Sequence, residues 1–455
     1  MHRVMVSRHH NGSGDVQWID STSVHFRVYN TLHVGRNQEQ ELSVATTETK
    51  PETNPESHEP GAAEHGVPAW LILLLATACC MIVANIYYCQ PLAGPISQAL
   101  GMRPEITGLV VTLTQLGFVT GLLFVVPLGD LIETRRLVVT VLAACFLALL
   151  TAATSKHALP FLVAALAIGV CTTAVQILVP YAAHIAPYHQ RGRVVGKVMS
   201  GLLLGIMLSR PTASLLDSLW GWQAVYYFAA GLMGIIGIAL ALSLPPRKPE
   251  AGAHYFQLLA SMAHIYRTTP VLRRRAFYQA FLFGAFSLFW TTAPLLLASP
   301  LFHLSQRGIA VFALVGVAGA CAAPLAGYLA DHGHSRFATA FAMCAVFTGF
   351  LMTRVMHSGS TTALVLLTAG GVVLDFGTAG NLVLGQRAIY TLGAEHRSRL
   401  NALFMSTLFM GGAICSTLGA WAYARGGWQM ASLVGMALPL AALVYFATEK
   451  TQEHS

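Results

Sequence analysis

Residues 191–223 read RGRVVGKVMSGLLLGIMLSRPTASLLDSLWGWQ, and residues 397–429 read RSRLNALFMSTLFMGGAICSTLGAWAYARGGWQ. The residues of the first stretch that recur in the second, each displaced by 206 positions, include Arg191, Arg193, Met199, Ser200, Gly205, Gly221, Trp222 and Gln223. Two further pairs recur at similar displacements: Asp130 with Arg135 as Asp331 with Arg336, at 201, and Pro91-Leu92 as Pro294-Leu295, at 203. Nearly constant offsets across three regions indicate a duplicated unit.

The composition indicates that most of the exterior faces lipid. Of the 455 residues, 55% are hydrophobic and 10% are charged, whereas a soluble domain is roughly 45–50% apolar and about 25% charged. So few charged residues cannot cover the surface of a soluble chain of this length.

Since a bilayer crossing needs about 20 mainly apolar residues, the sequence predicts twelve spans. They cover approximately residues 69–89, 106–126, 137–155, 159–183, 194–216, 223–244, 277–298, 307–330, 337–356, 361–384, 400–423 and 428–447. Because six is an even number, the two copies have the same orientation. We therefore predict an all-α polytopic membrane protein with twelve transmembrane helices in two parallel six-helix repeats.

The predicted domains follow from this division. Residues 1–66 are polar, lack the apolar core of a signal peptide, and are predicted to be a disordered cytoplasmic tail; a start codon assigned too far upstream would have the same composition. Six-helix bundles at 67–244 and 277–447 flank a central loop at 245–276, and 448–455 form a second tail. The loop contains a predicted interfacial helix with an apolar side: Tyr255, Leu258, Leu259, Met262 and Ile265.

The distribution of basic residues predicts the orientation. Beyond residue 66, sixteen Lys and Arg fall on one side of the predicted spans and five on the other, with Arg210 inside a span. Positively charged loops stay on the cytoplasmic side, so both termini are predicted to be cytoplasmic. This bias explains the basic character of the chain without nucleic-acid binding.

Asp375, in the tenth span, is the carboxylate expected near the middle of the membrane. With Thr368, Gly371 and Thr378 it follows the spacing of one helix face, which should face a cavity or a partner helix. Burial disfavours the charged form of a carboxylate, so Asp375 is a candidate for proton coupling. The alternative is a buried aspartate fixed by hydrogen bonds between helices.

Arg210 is the one basic residue inside a predicted span. A guanidinium in hydrocarbon costs at least ~2.5–3.5 kcal/mol on insertion scales, so it requires a partner or a wet cavity. Three interpretations remain open. The side chain pairs with Asp375, binds a substrate anion, or extends to the outer boundary near Asp217 and Trp220.

Polar and aromatic residues in other spans are candidates for a substrate cavity: Asn85, Tyr88, Gln90, Gln115, Gln176, Trp290, Thr291 and Asn381. Amides and aromatic rings can hold an amphipathic or cationic solute without demanding one geometry. Each residue alone is more often a contact between helices or an interfacial anchor, whereas the set favours polyspecific over tightly selective recognition.

No motif indicates an enzyme. The sequence has no Gly-x-x-x-x-Gly-Lys-Ser/Thr loop, no His-Glu-x-x-His helix and no Gly-x-Ser-x-Gly elbow. The eight cysteines lie in apolar stretches without metal-ligand spacing. We expect no cofactor, no metal and no nucleic acid. The expected partners are a small-molecule substrate, protons and the lipid bilayer, with the chain acting as a monomer.

Two parallel six-helix repeats, a long basic central loop and an Asp-plus-Arg loop after the second span of each half resemble the major facilitator superfamily, from about Ala69 to Phe446. There the loop reads approximately Gly-x-Leu-Ala-Asp-Arg-x-Gly-Arg-Arg. Leu128, Gly129, Asp130 and Arg135 match it, whereas Val126, Leu131, Glu133 and Thr134 depart from it. The second copy is Gly327-Tyr328-Leu329-Ala330-Asp331 followed by Arg336.

This resemblance implies that Asp130, Arg135, Asp331 and Arg336 act as a conformational gate that stabilises the outward-facing state. The alternative is that they only set the topology. Residues 201–211 of the fifth span resemble the Gly- and Pro-rich fifth helix of proton-driven drug antiporters, without their full Gly-Pro-x-x-Gly-Gly ending.

The sequence favours a secondary transporter of the bacterial inner membrane that couples protons to the efflux of small amphipathic compounds by alternating access. One alternative is proton symport or facilitated uptake of a small organic acid or sugar. An alternative of another class is a membrane sensor or scaffold that transports nothing.

Overall fold

The computed structural model describes residues 3–8, 15–20, 67–246, 254–314, 316, 322–332, 334–354, 359–393 and 397–449. The chain forms two compact units, Met1–Ala62 and Ala63–Ser455, and each is described by itself.

The first unit contains a pair of antiparallel strands, β1 (Arg3–Arg8) and β2 (Asp15–Asp20). Over these residues the structure differs from the predicted disordered tail. Both segments are short runs with β-branched or aromatic residues, which favour strands. The predicted disorder follows from the polar composition averaged over residues 1–66, which does not resolve such short runs. The other residues of 1–66 lie outside those described, so their disorder stays a prediction.

The second unit is helical through almost all of its described length. Its α-helices are α1 (Ala69–Tyr87), α2 (Cys89–Ala99), α3 (Leu109–Phe124), α4 (Thr134–Thr154), α5 (Ala158–Thr172), α6 (Ala174–Ile185), α7 (Arg191–Trp220), α8 (Trp222–Ser243), α9 (Tyr255–Thr268), α10 (Pro270–Ala298), α11 (Gln306–Ala313), α12 (Ala322–Asp331), α13 (Ser335–Arg354), α14 (Thr361–Tyr390) and α15 (Arg397–Ala447). Short 3₁₀ turns lie at Pro104–Ile106, Val126–Asp130 and Tyr188–Gln190.

Ten helical segments in the described part of the chain are long and apolar enough to cross a membrane. The difference from twelve has two causes. α15 contains both the eleventh and the twelfth predicted spans, which are separated by non-helical backbone at Gly426 and at Gly427, where φ is 58°. Such a positive φ is accessible to glycine at little cost. The eighth predicted span corresponds to α11 and α12, and residues 317–321 between them lie outside those described.

The duplication in the sequence recurs in the helix packing. α7 packs along α1, and a Cβ on Gly205 would overlap the carbonyl oxygen of Cys80. α15 packs along α10, and a Cβ on Gly411 would overlap the carbonyl oxygen of Ala280. Gly205 and Gly411 are a repeat pair, so both halves use the same glycine for the same close helix crossing.

Large apolar side chains cover the outside of the helices in both halves. Leu159, Leu242 and Val444 are 72%, 79% and 64% exposed, as expected of a surface that faces lipid. α10 is the exception, because 83% of the residues in its apolar 18-residue stretch are buried, compared with 28–61% in the corresponding stretches of the other nine segments. α10 therefore passes through the interior, where it can contact helices of both halves.

α9 occupies the stretch between the halves. Its buried residues, Leu258 and Met262, belong to the side that the sequence predicts to be apolar, while Phe256 is exposed. Its position at the membrane surface stays a prediction.

Candidate functional site

Asp375 lies in the interior of α14 and is only 5% exposed. Its Oδ1 accepts a hydrogen bond of 2.9 Å from Nε1 of Trp290, on α10. Gly316 approaches the same pair so closely that a Cβ on it would lie 3.0 Å from Oδ2 of Asp375. The absence of a side chain at Gly316 therefore leaves room for the carboxylate.

The predicted stripe on α14 packs against α10. Gly371 lies against the ring of Phe289, Asp375 binds Trp290, and the carbonyl oxygen of Thr378 accepts a hydrogen bond from Gln279. The sequence predicts that this face looks at a cavity or at a partner helix, and in the structure it packs against the partner helix α10.

Arg210 lies within α7 and is 3% exposed. Its Nε donates a 2.7 Å hydrogen bond to Oε1 of Gln90. The guanidinium carbon lies 5.1, 5.0 and 4.5 Å from the ring centroids of Tyr87, Phe286 and Trp290. A desolvated cation–π contact contributes about 2 kcal/mol or more, so these rings can offset much of the cost of burying the charge.

The interpretation in which Arg210 extends to the outer boundary is therefore wrong. The aromatic rings of α1 and α10 enclose the side chain in the interior, and the sequence could not show that these rings converge on it. Arg210 and Asp375 form no ion pair within 4 Å in the described structure, although their charges attract each other. Both instead contact Trp290, Arg210 at the ring face and Asp375 at Nε1.

Neither charge has a charged counterpart in the other repeat. At the displacement of 206, the counterpart of Arg210 is Ser416. At any displacement from 201 to 206, the counterpart of Asp375 lies within residues 169–174, which contain no Asp, Glu, His, Lys or Arg. The shared architecture therefore does not require charge at these positions, and each charge is present in one copy of the repeat.

The other predicted cavity residues do not form one cluster. Gln115 donates from Nε2 to the hydroxyl of Ser287 at 2.9 Å and so links α3 to α10. Thr291 donates to the carbonyl oxygen of Ser287 within α10. Asn85 donates to carbonyl oxygens of its own helix and contacts the sulfur of Met233. Of these three residues, Gln115 is the one that joins the two halves.

Two of the predicted cavity residues, Asn381 and Gln176, make polar contacts away from the charged pair. Asn381 donates to Oε1 of Gln279 at 2.7 Å, and Oε1 of Gln176 accepts from Asn401 at 3.5 Å. Tyr88 is buried. Of the eight predicted cavity residues, Gln90 and Trp290 contact the charged pair.

Thr112 on α3 joins the halves at the ends predicted to be outer. Its hydroxyl lies 2.8 Å from the carbonyl oxygen of Ala413 and 2.7 and 2.6 Å from the hydroxyls of Ser416 and Thr417. A Cβ on Gly108 would overlap the carbonyl oxygen of Ser416. α3 and α15 are thus in close contact at this end.

The predicted gate residues have diverse surroundings. Asp130 is exposed and Arg135 is partly buried. The side chain of Asp331 lies outside those described. Arg336 donates to the carbonyl oxygen of Glu449 at 3.3 Å and contacts the ring of Phe446, beside the end of α15. Their role as a gate stays a prediction.

Some residues of the site are not among the predicted ones. Tyr87 and Phe286 stand in apolar runs and look like ordinary core residues, so the sequence carried no signal for them. Gln279 could have been found, because it is an amide in the seventh span and lies seven and eleven residues before Phe286 and Trp290, on the same helix face.

These features define a membrane protein with two repeated helical bundles and a buried pair of charges between them. The sequence matches the Major Facilitator Superfamily over residues 73–372, and the chain belongs to this superfamily. The predicted family and the all-α fold are confirmed.

The relatives are named as transporters. The chain is 40% identical over 382 residues to the uncharacterized transporter YgaY of Escherichia coli O157:H7, covering 84% of this chain and 95% of the relative. It is 32% identical over 391 residues to the probable transporter SCO4007 of Streptomyces coelicolor, covering 85% and 90%. The chain is therefore a multi-pass membrane transporter.

Solved structures of similar fold include the nucleoside transporter NupG, with a TM-score of 0.64 at 13% identity over 82% of this chain and 100% of that chain. A D-xylose-proton symporter has a TM-score of 0.63 at 13% identity, over 82% and 96%. At these identities the likeness concerns the fold alone.

Proposed function

We propose that the chain exports small amphipathic compounds across the bacterial inner membrane in exchange for protons, by alternating access. The observation that carries this proposal is the contact of one indole, Trp290, with both buried charges. Arg210 belongs to the first bundle, whereas Trp290 and Asp375 belong to the second. A change of charge at Asp375 therefore alters the electrostatic attraction across the boundary between the bundles.

Proton binding to Asp375 would act as follows. The neutral carboxyl group no longer attracts the guanidinium of Arg210, and it is a weaker acceptor for the Trp290 N–H than a carboxylate. The first change weakens the connection between the bundles, and the second loosens the indole of Trp290 that Arg210 contacts from the first bundle. A ligand shifts a conformational equilibrium only by its different affinity for the two states, and here the proton has such a difference. Solute and proton are then linked, because each alters the affinity for the other.

Two features support an amphipathic solute. Aromatic rings surround the charged pair, and such rings bind apolar surface as well as charge. A groove of about 840 Å³, lined mainly by apolar side chains of α3, α9, α10 and α15, lies between helices of the two bundles and has Arg267 at its wall. It includes none of the residues that contact the charged pair, and Phe124 and Ile414 on its wall are 48% and 59% exposed, so it offers a separate apolar surface for the solute. Its size is within the range of about 300–1,000 Å³ that is typical of ligand pockets.

The contacts of Thr112 at the predicted outer ends support alternating access. Each contact is a single hydrogen bond, worth about 0.5–1.5 kcal/mol net. Such contacts can break and re-form as the bundles rock against each other, which would open the outer side.

The test is solute flux in everted membrane vesicles with an imposed proton gradient, using a panel of labelled amphipathic compounds. We expect gradient-driven accumulation inside everted vesicles by the wild type and its loss in Asp375→Asn. Asp217→Asn is the matched control, because it neutralises a carboxylate on α7 outside the charged pair. Unchanged gradient-driven flux in Asp375→Asn would exclude this residue from coupling, and the absence of any flux would favour a sensor or scaffold.

Uptake of a small organic acid, by proton symport or facilitated diffusion, is the second candidate. The observation that favours it is Nη2 of Arg210, a buried charged donor without a hydrogen-bond partner among the described residues. Accumulation of labelled acid in right-side-out vesicles, but not in everted ones, would support this candidate over export. Anion affinity that persists in Arg210→Gln would count against it.

A further inference from the structure

The groove of about 840 Å³ has one wall from α9. The residues of this wall are three or four positions apart, so they form one face of the helix: Leu259, Met262, Ala263, Tyr266 and Arg267. Tyr255, at the start of α9, donates a 2.9 Å hydrogen bond to the carbonyl oxygen of Phe124, at the end of α3. α9 is therefore tied to the first bundle while one of its faces lines the groove.

A second wall follows one face of α15. Residues of this wall include Leu403, Ser406, Met410, Ile414 and Leu418. The fifteen-residue separation from 403 to 418 corresponds to about 22 Å at a rise of 1.5 Å per residue. One leaflet contributes half of a hydrocarbon core of roughly 30 Å, or about 15 Å. The groove is therefore long enough for an acyl chain of one leaflet to lie extended along α15.

The groove is open to the surrounding membrane. Met410, Ile414 and Leu418 on its α15 wall are 37%, 59% and 37% exposed. Their side chains are apolar, so hydrocarbon can reach them directly from the bilayer.

Positive charge lies where α9 joins α10, at helix ends predicted to be cytoplasmic. Arg267 is exposed on the wall of the groove. Arg273 donates from Nη1 to the carbonyl oxygen of Arg267 at 2.8 Å, which places the two residues side by side. Among the described residues, no acid pairs with either guanidinium and none lines the groove. An anionic group at this end would therefore meet two cations that no acid neutralises.

We propose that the groove binds one anionic phospholipid of the cytoplasmic leaflet, with an acyl chain along α15 and the phosphate at Arg267 and Arg273. The inference goes beyond the proposed function, because it names an occupant that is not transported. Lipid and solute need the same apolar walls, so a solute that uses the groove has to displace the lipid.

The two parts of the groove together select this occupant. Apolar walls alone favour no particular lipid, because lipid tails are all equally apolar. The arginines supply the preference, since each basic residue near the membrane surface favours an anionic lipid roughly fivefold, which corresponds to about 1 kcal/mol. A free phosphate ion would contact the arginines but leave the apolar walls unused.

Native mass spectrometry of the purified full chain in detergent tests the proposal. The probes are dioleoylphosphatidylglycerol and dioleoylphosphatidylcholine, which share their acyl chains and phosphate, although the choline cation offsets the phosphate charge. We expect the first phosphatidylglycerol to bind roughly five- to twenty-five-fold more tightly than phosphatidylcholine, for one or two arginine contacts. Arg267→Gln should weaken phosphatidylglycerol binding roughly fivefold and leave phosphatidylcholine binding unchanged. Arg425→Gln, which removes an exposed arginine beside Trp421, should change neither.

A second pair of variants tests the position of the lipid. Ile414→Trp places a larger side chain on the α15 wall and should weaken binding of both lipids roughly fivefold or more, because it fills part of the groove. Val444→Trp is the matched control, since Val444 is 64% exposed on α15 and does not line the groove.

Four results would each overturn the proposal. They are equal affinity for the two lipids, a preference that survives in Arg267→Gln, unchanged lipid binding in Ile414→Trp, and displacement of the lipid by an equal concentration of glycerol phosphate. The last result would assign the arginines to a soluble phosphate compound instead of a lipid.

The binding measurement needs neither solute nor gradient, so its failure is distinct from failure of the proposed function. Proton-driven flux in a chain that binds both lipids equally would remove the lipid site and leave the transport proposal standing. Selective phosphatidylglycerol binding that is lost in Arg267→Gln, in a chain without proton-driven flux, would do the reverse.

Discussion

The charges of Arg210 and Asp375 are predicted to be coupled energetically across Trp290. The guanidinium carbon lies 4.5 Å from the ring centroid, and the carboxylate oxygen lies 2.9 Å from Nε1. These contacts place the charges roughly 9 Å apart at most, where an effective dielectric constant of about 20 gives an attraction of about 2 kcal/mol. Neutralising either residue removes this attraction. Neutralising both removes the same attraction and no more, so the effects of the two single variants do not add.

A double-mutant cycle measures that coupling. Arg210→Gln, Asp375→Asn and the double variant are compared by the free energy of unfolding of the purified protein in detergent. We expect each single variant to be destabilised, because it leaves one buried charge without the other. The double variant should be more stable than the sum of the single effects predicts, by about 2 kcal/mol.

The matched cycle uses Arg425→Gln and Asp217→Asn, two residues of the same types that form no ion pair with each other in the described structure. The changes in the free energy of unfolding of these two single variants should add up to that of their double variant within about 0.5 kcal/mol. A coupling at Arg210 and Asp375 that is no larger than in this control cycle would refute the reasoning.

Two further predictions concern the architecture. Gly205→Ala should destabilise the protein by about 1–3 kcal/mol, because its Cβ would overlap α1. The control Gly231→Ala has no neighbouring atom within 4 Å of the new Cβ and should be neutral or stabilising. Thermal unfolding compares the two variants, and equal melting temperatures would contradict the close crossing of α7 and α1. Thr112→Val should raise the population of the outward-open state roughly two- to tenfold, because it removes hydrogen bonds between the bundles, and Thr120→Val, whose hydroxyl bonds only within its own helix, should not. Spin-label distances across the predicted outer ends measure that population, and an unchanged distribution in Thr112→Val would contradict this prediction.

The fold could be predicted from the sequence because its two determinants are periodic. Apolar stretches of bilayer length predict spans, and repeated residues at nearly constant offsets predict a second copy. The glycine pair Gly205 and Gly411 shows how far this extends, since the repeat predicts that both occupy equivalent positions. The two strands near the N-terminus were missed, because a polar composition averaged over 66 residues hides two short β-prone runs.

The candidate site was predicted less completely. Asp375 and Arg210 could be found, because an ionisable residue is conspicuous in an apolar span. Tyr87 and Phe286 could not, because apolar residues of a core and of an aromatic cage have the same sequence pattern. Which of the predicted amides face the charged pair depends on how helices far apart in sequence are rotated, and one sequence carries no information on that rotation.

Solute-dependent proton movement in proteoliposomes tests the central claim most directly. The purified protein is reconstituted with a pH-sensitive dye inside, and an active solute is added outside without an imposed gradient. The account predicts that the wild type moves protons against the direction of the solute, and that Asp375→Asn still exchanges labelled for unlabelled solute but moves no protons. Proton movement at the wild-type rate in Asp375→Asn would contradict it.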